Sequence, residues 1–565
     1  MYYILFTLLF LKFSIKKEDI KEQIPRAIIG AFISFLIFYL FNKDRSLSLI
    51  LSALWIPALF QIIFTSSFQS IKGKKISKAY CLIASIVLAF SFIYNLYPYI
   101  TGSSRKLAEM VPVNESSEMV SKIDSQHVII IPPETAYYKM QKMLGTLPNP
   151  SIYRIGELGI TMTKDGACYV APIEVDGFFR ALSNKEIPGV IYVSAERYEE
   201  AKIINVPVKV ADSFVFGRDL KRYLRQFKPG AVLFQANAEL DDEGNPYYVG
   251  SYGHYAYGRK GPVIDGVLLL SFRDGKVTDY SKDKVPSWVD EIYPSDVAEK
   301  YNNYFGTLKD GLFNMLITKK GVHIPTNWGS NSSVAGLEVN STEVIGVIDG
   351  DKKLKWFTDH TNTSDTSTTM TGYTLMDMRS GKTIYYKTPG YINGKGAMNV
   401  VTKALGANSM NWTPAQPIFY NLFGTEAWVV PVINKTDGAF IKLGIVAAQS
   451  SYVVLEDSKD AAIESFKNAI AYGLINSNTG ANANSINAEE KSISGKVLRI
   501  NAVTENGNTV FYVKLEGVDR VFMINKSVGI DITLTRDGDN VDIKYLDIKG
   551  NNVVSTTYFK NNSIK

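Results

Sequence analysis

The sequence predicts transmembrane helices at the N-terminus, then an α+β body of tandem antiparallel β-meander plus helix units, then a small C-terminal β-barrel. Three observations predict it. Runs 27–41, 47–68 and 79–100 contain no Asp, Glu, Lys or Arg, and no comparable run follows Thr101. Glycines then recur in pairs, each opening an aromatic or aliphatic stretch of strand length. Past a polar stretch at 475–493, the chain ends in five or six short strands separated by turn residues.

The apolar runs come first. A bilayer core about 30 Å thick takes roughly 20 apolar residues as a helix, which runs 47–68 and 79–100 supply. Run 27–41 is shorter, and Arg26 and Lys43 at its ends extend its reach by snorkelling. Residues 1–11 (MYYILFTLLFL) fit a first span, an interfacial helix or a signal-like segment, giving three or four transmembrane helices. No basic region precedes them and no small-residue cleavage site follows, so they do not read as a cleaved signal peptide. Lys72, Lys74, Lys75 and Lys78 lie between the last two runs, and Lys16, Lys17 and Lys21 precede the first. Loop 42–46 adds only Lys43 and Arg45. By the positive-inside rule the lysine-rich segments are cytoplasmic and residues 101–565 are extracytoplasmic. Tyr94, Tyr97 and Tyr99 suit an outer aromatic belt. Pro57 and Gln61 interrupt the uncharged runs without bringing a charge, so the bundle reads as an anchor rather than a pump or channel.

Composition sets bounds on the rest. Hydrophobic residues make up 46% and charged residues 21%, as in globular chains, and the body has room for about three domains. The net charge of +6 is modest, and the membrane-flanking lysines account for much of it, which argues against a nucleic-acid partner. Cys81 and Cys168 are the only cysteines, so the body has no disulfide framework. His127, His254, His323 and His360 lack ligand spacing for zinc. Asn114, Asn331, Asn340, Asn362, Asn411, Asn434, Asn525 and Asn561 stand in glycosylation sequons, which an Asn-, Ser- and Thr-rich chain also produces by chance.

Within the body, four glycine pairs open strands: Gly166 (GACYVAPI) and Gly189 (GVIYVSA), Gly244 (GNPYYVGSY) and Gly266 (GVLLLSF), Gly350 (GDKKLKWFT) and Gly372 (GYTLMDM), Gly424 (GTEAWVVPV) and Gly444 (GIVAAQS). The middle two pairs continue through Asp274-Gly275 and Ser380-Gly381 turns into strands 276–280 and 382–386. The first lacks this late turn, and the fourth ends in Glu456-Asp457-Ser458 without the glycine. Helices are expected at 293–308, 397–405 and 459–472; the last places Ala462, Ile463, Phe466 and Ile470 on one face.

Gly244, Tyr247, Val249, Gly266, Val267, Asp274, Gly275, Lys276 and Val277 form a pattern that resembles PepSY-type repeats. Asp377, Ser380, Gly381 and Lys382 repeat part of it. The resemblance spans about 165–472. It implies an extracytoplasmic, non-catalytic module that contacts protein, and it brings no catalytic residues.

The flanks complete the plan. Residues 114–228 read as α/β, with a buried strand at 127–131 and a helix at 135–144 entered through Pro132-Pro133-Glu134. Segment 217–228 (GRDLKRYLRQFK) reads as an amphipathic helix. Leu220, Tyr223, Leu224 and Phe227 form its apolar side, and Arg218, Lys221, Arg222, Arg225 and Lys228 a continuous basic side suited to anionic lipid, a wall polymer or an acidic partner. Strands at 496–503, 509–515, 520–523, 531–535, 541–546 and 553–558, with hairpin signals at Asn506-Gly507 and Asp537-Gly538, look like an OB or SH3-like barrel.

Motif chemistry is sparse. Gly381-Lys382-Thr383 lacks the earlier glycine of a phosphate loop, since Met376 stands there. Ser281 and Lys284 have a Ser-x-x-Lys spacing that chance supplies. Glu239, Asp241, Asp242 and Glu243 read as a solvated hairpin tip rather than a calcium loop. Tyr247, Tyr248, Tyr252, Tyr255 and Tyr257 pack across strands or stack on a sugar. The expected division is 1–100 transmembrane, 101–235 α/β with the first repeat, 236–345 the second, 346–474 the third and fourth, 475–493 a linker and 494–565 the barrel. No catalytic, cofactor or metal residues are expected. The candidate interaction surface is Arg218, Lys221, Arg222, Arg225, Lys228, Tyr247, Tyr252 and Tyr255, and the expected partners are membrane lipids and protein, another copy of the chain included. A non-catalytic scaffold in an envelope, secretion, conjugation or virion-associated assembly leads; a PepSY-like regulator and an envelope hydrolase are the rivals.

Overall fold

The structure is a computed structural model that describes residues 2–12, 20–41, 44–71, 78–100, 103–329, 333–334, 337–338, 344–364, 366–471, 474–475, 489–505, 508–525, 528–547 and 553–564. Lys16, Lys17, Lys43, Lys72, Lys74, Lys75, Asn331, Asn340, the Asn506-Gly507 signal and residues 476–488 of the expected linker lie outside them. The chain divides into two compact units: Met1–Glu118 with Ile131–Pro389 and Asp437–Ala439, and Met119–Ile130 with Gly390–Thr436 and Phe440–Lys565.

The first unit opens with three helices long and apolar enough to cross a membrane, Lys21–Leu40, Leu47–Phe64 and Tyr80–Tyr99. The first begins upstream of the uncharged run and contains Pro25, so Arg26 lies inside it rather than at its edge. Arg26 is buried. Its guanidinium donates to Gln61 Oε1 and sits 4.7 Å over the Phe64 ring. The Gln61 amide donates to the Leu9 and Leu11 carbonyls at 2.9 Å, and the Tyr80 hydroxyl donates to Gln61 at 2.8 Å. A cation thus occurs where none was expected, because polar groups between apolar helices can satisfy one another. Tyr2–Leu8 is too short to cross at 1.5 Å per residue. It lies along the first long helix, with the Thr7 and Ser34 hydroxyls 2.9 Å apart and Phe10 filling the space that the missing side chain of Gly30 leaves.

Among the described residues, besides the short pair Ser333–Val334 and Leu337–Glu338, the same unit holds three larger antiparallel sheets in succession. Their strands are Gly159–Thr163, Gly166–Val175, Ile187–Ser194 and Lys202–Val208; Val232–Leu240, Pro246–Tyr257, Lys260–Ser271 and Val277–Ser281; and Ile345–Ile348, Leu354–Thr361, Gly372–Asp377 and Thr383–Lys387. Each strand pairs antiparallel with the next in its set. Val113–Ser116 adds in parallel to Thr383–Lys387. The second unit has Ile418–Leu422, Thr425–Asn434, Phe440–Ala447 and Val453–Glu456 in the same sequential pairing. Alternating or continuous burial along these strands follows from their apolar runs: Gly166–Val175 is buried throughout.

The turns explain the spacing. Gly275 and Gly381 adopt φ of +68° and +72°, and their amides donate to the Ser271 and Asp377 carbonyls at 3.0 and 2.9 Å. In the fourth sheet Ser451 takes that place, with φ +56° and its amide 3.0 Å from the Ala447 carbonyl. The turn therefore falls before the last strand, and Glu456-Asp457-Ser458 leads instead into the helix Lys459–Ala471. Helices Pro133–Leu144, Ser295–Leu308 and Gly394–Leu405 lie within a few residues of expectation.

Two expected strands are something else. In segment 127–131, His127 ends a 3-10 turn, Ser125–His127, and residues 128–131 are buried without joining a sheet. Segment 531–535 is a 3-10 turn, Ile530–Leu534, with only Ile532 buried. Among the C-terminal strands Glu489–Glu505, Asn508–Leu515, Val521–Asn525, Asn540–Asp547 and Val553–Asn561, each pairs with two others. Val497, Val513, Phe522, Ile524, Ile543 and Val554 pack between them.

Candidate functional site at the seam between body and apolar helices

The hairpin Pro246–Tyr257 and Lys260–Ser271 turns through Gly258 and Arg259. At this tip the body meets the ends of the apolar helices. Gly258 has φ +59°, and a Cβ there would stand 3.3 Å from the Tyr94 carbonyl and 3.5 Å from Pro98. Arg259 grips Asp44 with both terminal nitrogens, at 2.8 and 2.7 Å, a bidentate geometry only arginine offers. Asp44 lies in the loop between the first two apolar helices and is 4% exposed. Burial pushes its carboxyl up, and the guanidinium outweighs that, holding it below the usual carboxylate range. Arg259 also covers the Tyr255 ring at 4.8 Å, and Lys260 stands 5.6 Å over Tyr99. Arg222 makes a second junction: it donates to the Tyr39 carbonyl at 2.6 Å, lies 4.4 Å over that ring, and donates to the Phe216 carbonyl at 2.8 Å.

The eight candidate residues do not form one surface. The helix spans only Leu220–Arg225, because Asp219 caps it, accepting from the Arg222 amide at 2.7 Å. The expected continuous basic side is consequently broken up. Arg218 lies in the preceding turn and donates to the Ala181, Asn184 and Lys185 carbonyls. Arg225 is buried, and that burial lowers its pKa despite the nearby Asp44. Lys228 pairs with Asp279 at 2.7 Å, beside Tyr252, whose hydroxyl donates to the same carboxylate at 2.7 Å. Arg222 and Tyr255 belong to the seam. Tyr247 is far along the hairpin, its ring 4.8 Å from Trp288. Lys221 lines a polar pocket. Sequence reasoning missed Asp44 and Arg259; the available signals were an acid isolated between basic loop residues and a Gly-Arg-Lys hairpin tip.

That pocket, about 320 Å³, is lined by Glu157, Lys221, Gln235, Ser295, Asp296 and Glu299, with Phe234 as an apolar wall. Gln235 donates to Glu157 at 2.8 Å and to Asn237 at 3.2 Å, and Asn237 donates to Glu291 at 2.7 Å. Glu291 is 3% exposed, and burial pushes it up to about 8. Glu239 accepts from the Asp290 and Glu291 amides at 2.8 and 3.1 Å; burial and the Asp290 charge raise it as well. Glu239 is therefore not at a solvated tip. Asp242 and Glu243 are exposed there, while Asp241 is buried and holds the turn, accepting from the Asn245 amide at 2.7 Å. A second groove, about 210 Å³, has Tyr247, Tyr280, Trp288, Thr278, Asp274 and Lys276 on its walls.

His323 and His360 meet Nδ1 to Nδ1 at 2.9 Å beside Phe305 and Tyr385. Burial drives His323 down to about 4 and His360 well below its ordinary value, so at neutral pH one ring donates and the other accepts. Among the described residues no three His, Cys, Asp or Glu side chains are placed to hold a metal ion.

Taken together these features define an α+β protein of several antiparallel sheets, carrying three helices able to cross a membrane and a polar seam between them and the body. No known protein-family model matches the chain, and no curated protein is significantly similar to it.

Proposed function

We propose that this protein is a non-catalytic, membrane-anchored scaffold or protein-interaction component of an envelope, secretion, conjugation or virion-associated assembly, with residues 101–565 on the extracytoplasmic side. In this reading the four successive sheets are tandem units, the C-terminal strands are an OB- or SH3-like barrel, and the partners are membrane lipids and protein rather than nucleic acid. The observation that carries it is the seam. Arg259 and Arg222 fasten the sheets of the first unit to Asp44 and Tyr39, so that unit stands in one pose on the apolar helices instead of swinging on a tether, as a platform for assembly requires. The lysines at Lys16, Lys17, Lys21, Lys72, Lys74, Lys75 and Lys78 supply the orientation.

Detergent extraction followed by crosslinking and mass spectrometry tests the role: a scaffold yields a complex or a homo-oligomer. A monomeric, partnerless body overturns it. Membrane-impermeant thiol labelling of an Asp274→Cys variant tests the side. Labelling only after membrane disruption sinks the extracytoplasmic assignment.

The hydrolase reading has one observation in its favour, the Glu157–Gln235–Asn237–Glu291 chain behind the 320 Å³ pocket, since a buried acid raised toward neutrality suits general acid catalysis. A Glu291→Gln variant that abolishes hydrolysis of envelope polymers would favour it. A PepSY-like regulator would instead pull down one enzyme at near-equal ratio.

A further inference from the structure

Gly311–Phe313 and the π-type turn Asn314–Thr318 form a short helical projection on the first unit. Phe313, Leu316 and Ile317 stand on one face of it, at i, i+3 and i+4, and are 69%, 62% and 64% exposed. Three large apolar side chains left in water on one small element call for a non-aqueous partner. The projection is not loosely held. The Asn314 side chain accepts from the Lys320 amide at 3.1 Å and donates to its carbonyl at 2.9 Å, closing the turn.

Its position identifies the partner. The third apolar helix, Lys78–Ile100, is followed almost at once by the helix Ser103–Glu109. Gly311 lies against that helix: a Cβ there would be 3.5 Å from Arg105 Nε and 3.8 Å from Ser104 Oγ. The apolar face therefore sits within a few residues of where a membrane-crossing helix leaves the hydrocarbon. Exposed cations accompany it, Arg105 and Lys106 in the adjoining helix and Lys319 and Lys320 directly after the turn. A second projection repeats the pattern at the first apolar helix. Phe216 is 52% exposed with φ +59°, and Arg222 bonds its carbonyl while also holding the Tyr39 carbonyl.

We propose that Phe313, Leu316 and Ile317 insert into the headgroup–acyl boundary of the leaflet facing the body, with Arg105, Lys106, Lys319 and Lys320 on the lipid phosphates. Apolar side chains flanked by Lys and Arg are the composition of an element that lies in the interface rather than across it. The ligand class is glycerophospholipid, favoured when anionic. The inference rests on the reading that the three helices cross a bilayer, and the experiment separates the two.

The test uses the full chain reconstituted into phosphatidylcholine/phosphatidylglycerol vesicles, with Cys81→Ala and Cys168→Ala as background. An environment-sensitive fluorophore is placed on Ile317→Cys, on Ile86→Cys within the third helix, or on Asp274→Cys. Asp274 lies beyond the opposite end of a hairpin whose strands run Pro246–Tyr257 and Lys260–Ser271, about 35–40 Å from the Arg259 tip at roughly 3.3 Å per residue. The expected result is a blue shift at position 317 and quenching by lipids spin-labelled near the headgroup. Position 86 should be quenched by labels near the chain ends, and position 274 by neither. Quenching at 86 without quenching at 317 overturns the proposal and leaves the membrane reading intact. Loss at both overturns the membrane reading. A blue shift at 317 with no lipid quenching assigns the face to a second copy of the chain and also overturns the proposal.

Discussion

At the residue scale the seam depends on one ion pair. Asp44 is almost wholly buried, so removing Arg259 leaves a buried carboxylate without the bidentate partner that holds it. Breaking such a pair costs about 3 kcal/mol, and Arg259→Ala should lower the unfolding midpoint in detergent accordingly. Arg259→Lys should recover only part of the loss, because an ammonium cannot match both carboxylate oxygens. Asp44→Asn combined with Arg259→Ala should cost less than Arg259→Ala alone; strictly additive losses would refute the coupling. The pair was not legible in the sequence. Its members are 215 residues apart, and Asp44 hides in a loop whose basic residues dominate its reading. The candidate basic residues were grouped on a single helical face that the fold does not form. A helical period was extended across Asp219, whose side chain starts the helix, so Arg218 and Lys228 fell off the face assigned to them.

Elements were more legible, because strand periodicity and turn glycines are local signals. Gly275 and Gly381 marked real turns, and they separate two costs that a sequence cannot. Both have positive φ, so an alanine at either strains the backbone by about 1 kcal/mol. Around Gly275 there is open space, whereas a Cβ at Gly381 would come 2.6 Å from the Tyr293 ring. Gly381→Ala should therefore destabilise by about 2 kcal/mol or more and Gly275→Ala by about 1 kcal/mol, read as shifts in denaturation midpoint. Equal shifts would show that the Tyr293 contact is immaterial. The fourth turn hid because Ser451 carries the left-handed conformation without a glycine, and Ser451→Gly should be neutral to stabilising, by up to about 1 kcal/mol. Segments 127–131 and 531–535 misled for a different reason. Short apolar runs look the same whether they pair with a neighbour or merely bury against one, and no local residue distinguishes the outcomes.

At the scale of the whole molecule, buried titratable groups set how stability varies with pH. Glu291, raised to about 8, Asp212, raised to about 7, and Asp290, raised to about 6, all owe their shifts chiefly to burial. Each binds its proton more tightly folded than unfolded. The stabilisation they give is full below the ordinary carboxylate range and is lost as pH rises through those values. The histidine pair acts oppositely. His323, lowered to about 4, and His360 favour folding while neutral, a contribution present above about 6.5 and lost as pH falls toward 4. The two sets oppose each other on the acid side of neutrality, but between about 6.5 and 8 only the carboxylates titrate. Thermal stability of the detergent-solubilised chain should consequently fall over that interval, with its maximum on the acid side of neutral. Glu291→Gln tests the assignment, since glutamine keeps an acceptor for Asn237 and cannot ionise. The variant should match the parent only below about pH 4.5, where the unfolded glutamate is protonated too, and lose less stability than the parent between about pH 6 and 8, the difference over that interval being on the order of a few kcal/mol. An unchanged decline in the variant would mean that Glu291 is not the group whose ionisation opens the fold. His323→Gln should leave the alkaline side untouched and soften only the acid limb, so the two substitutions assign the two limbs independently.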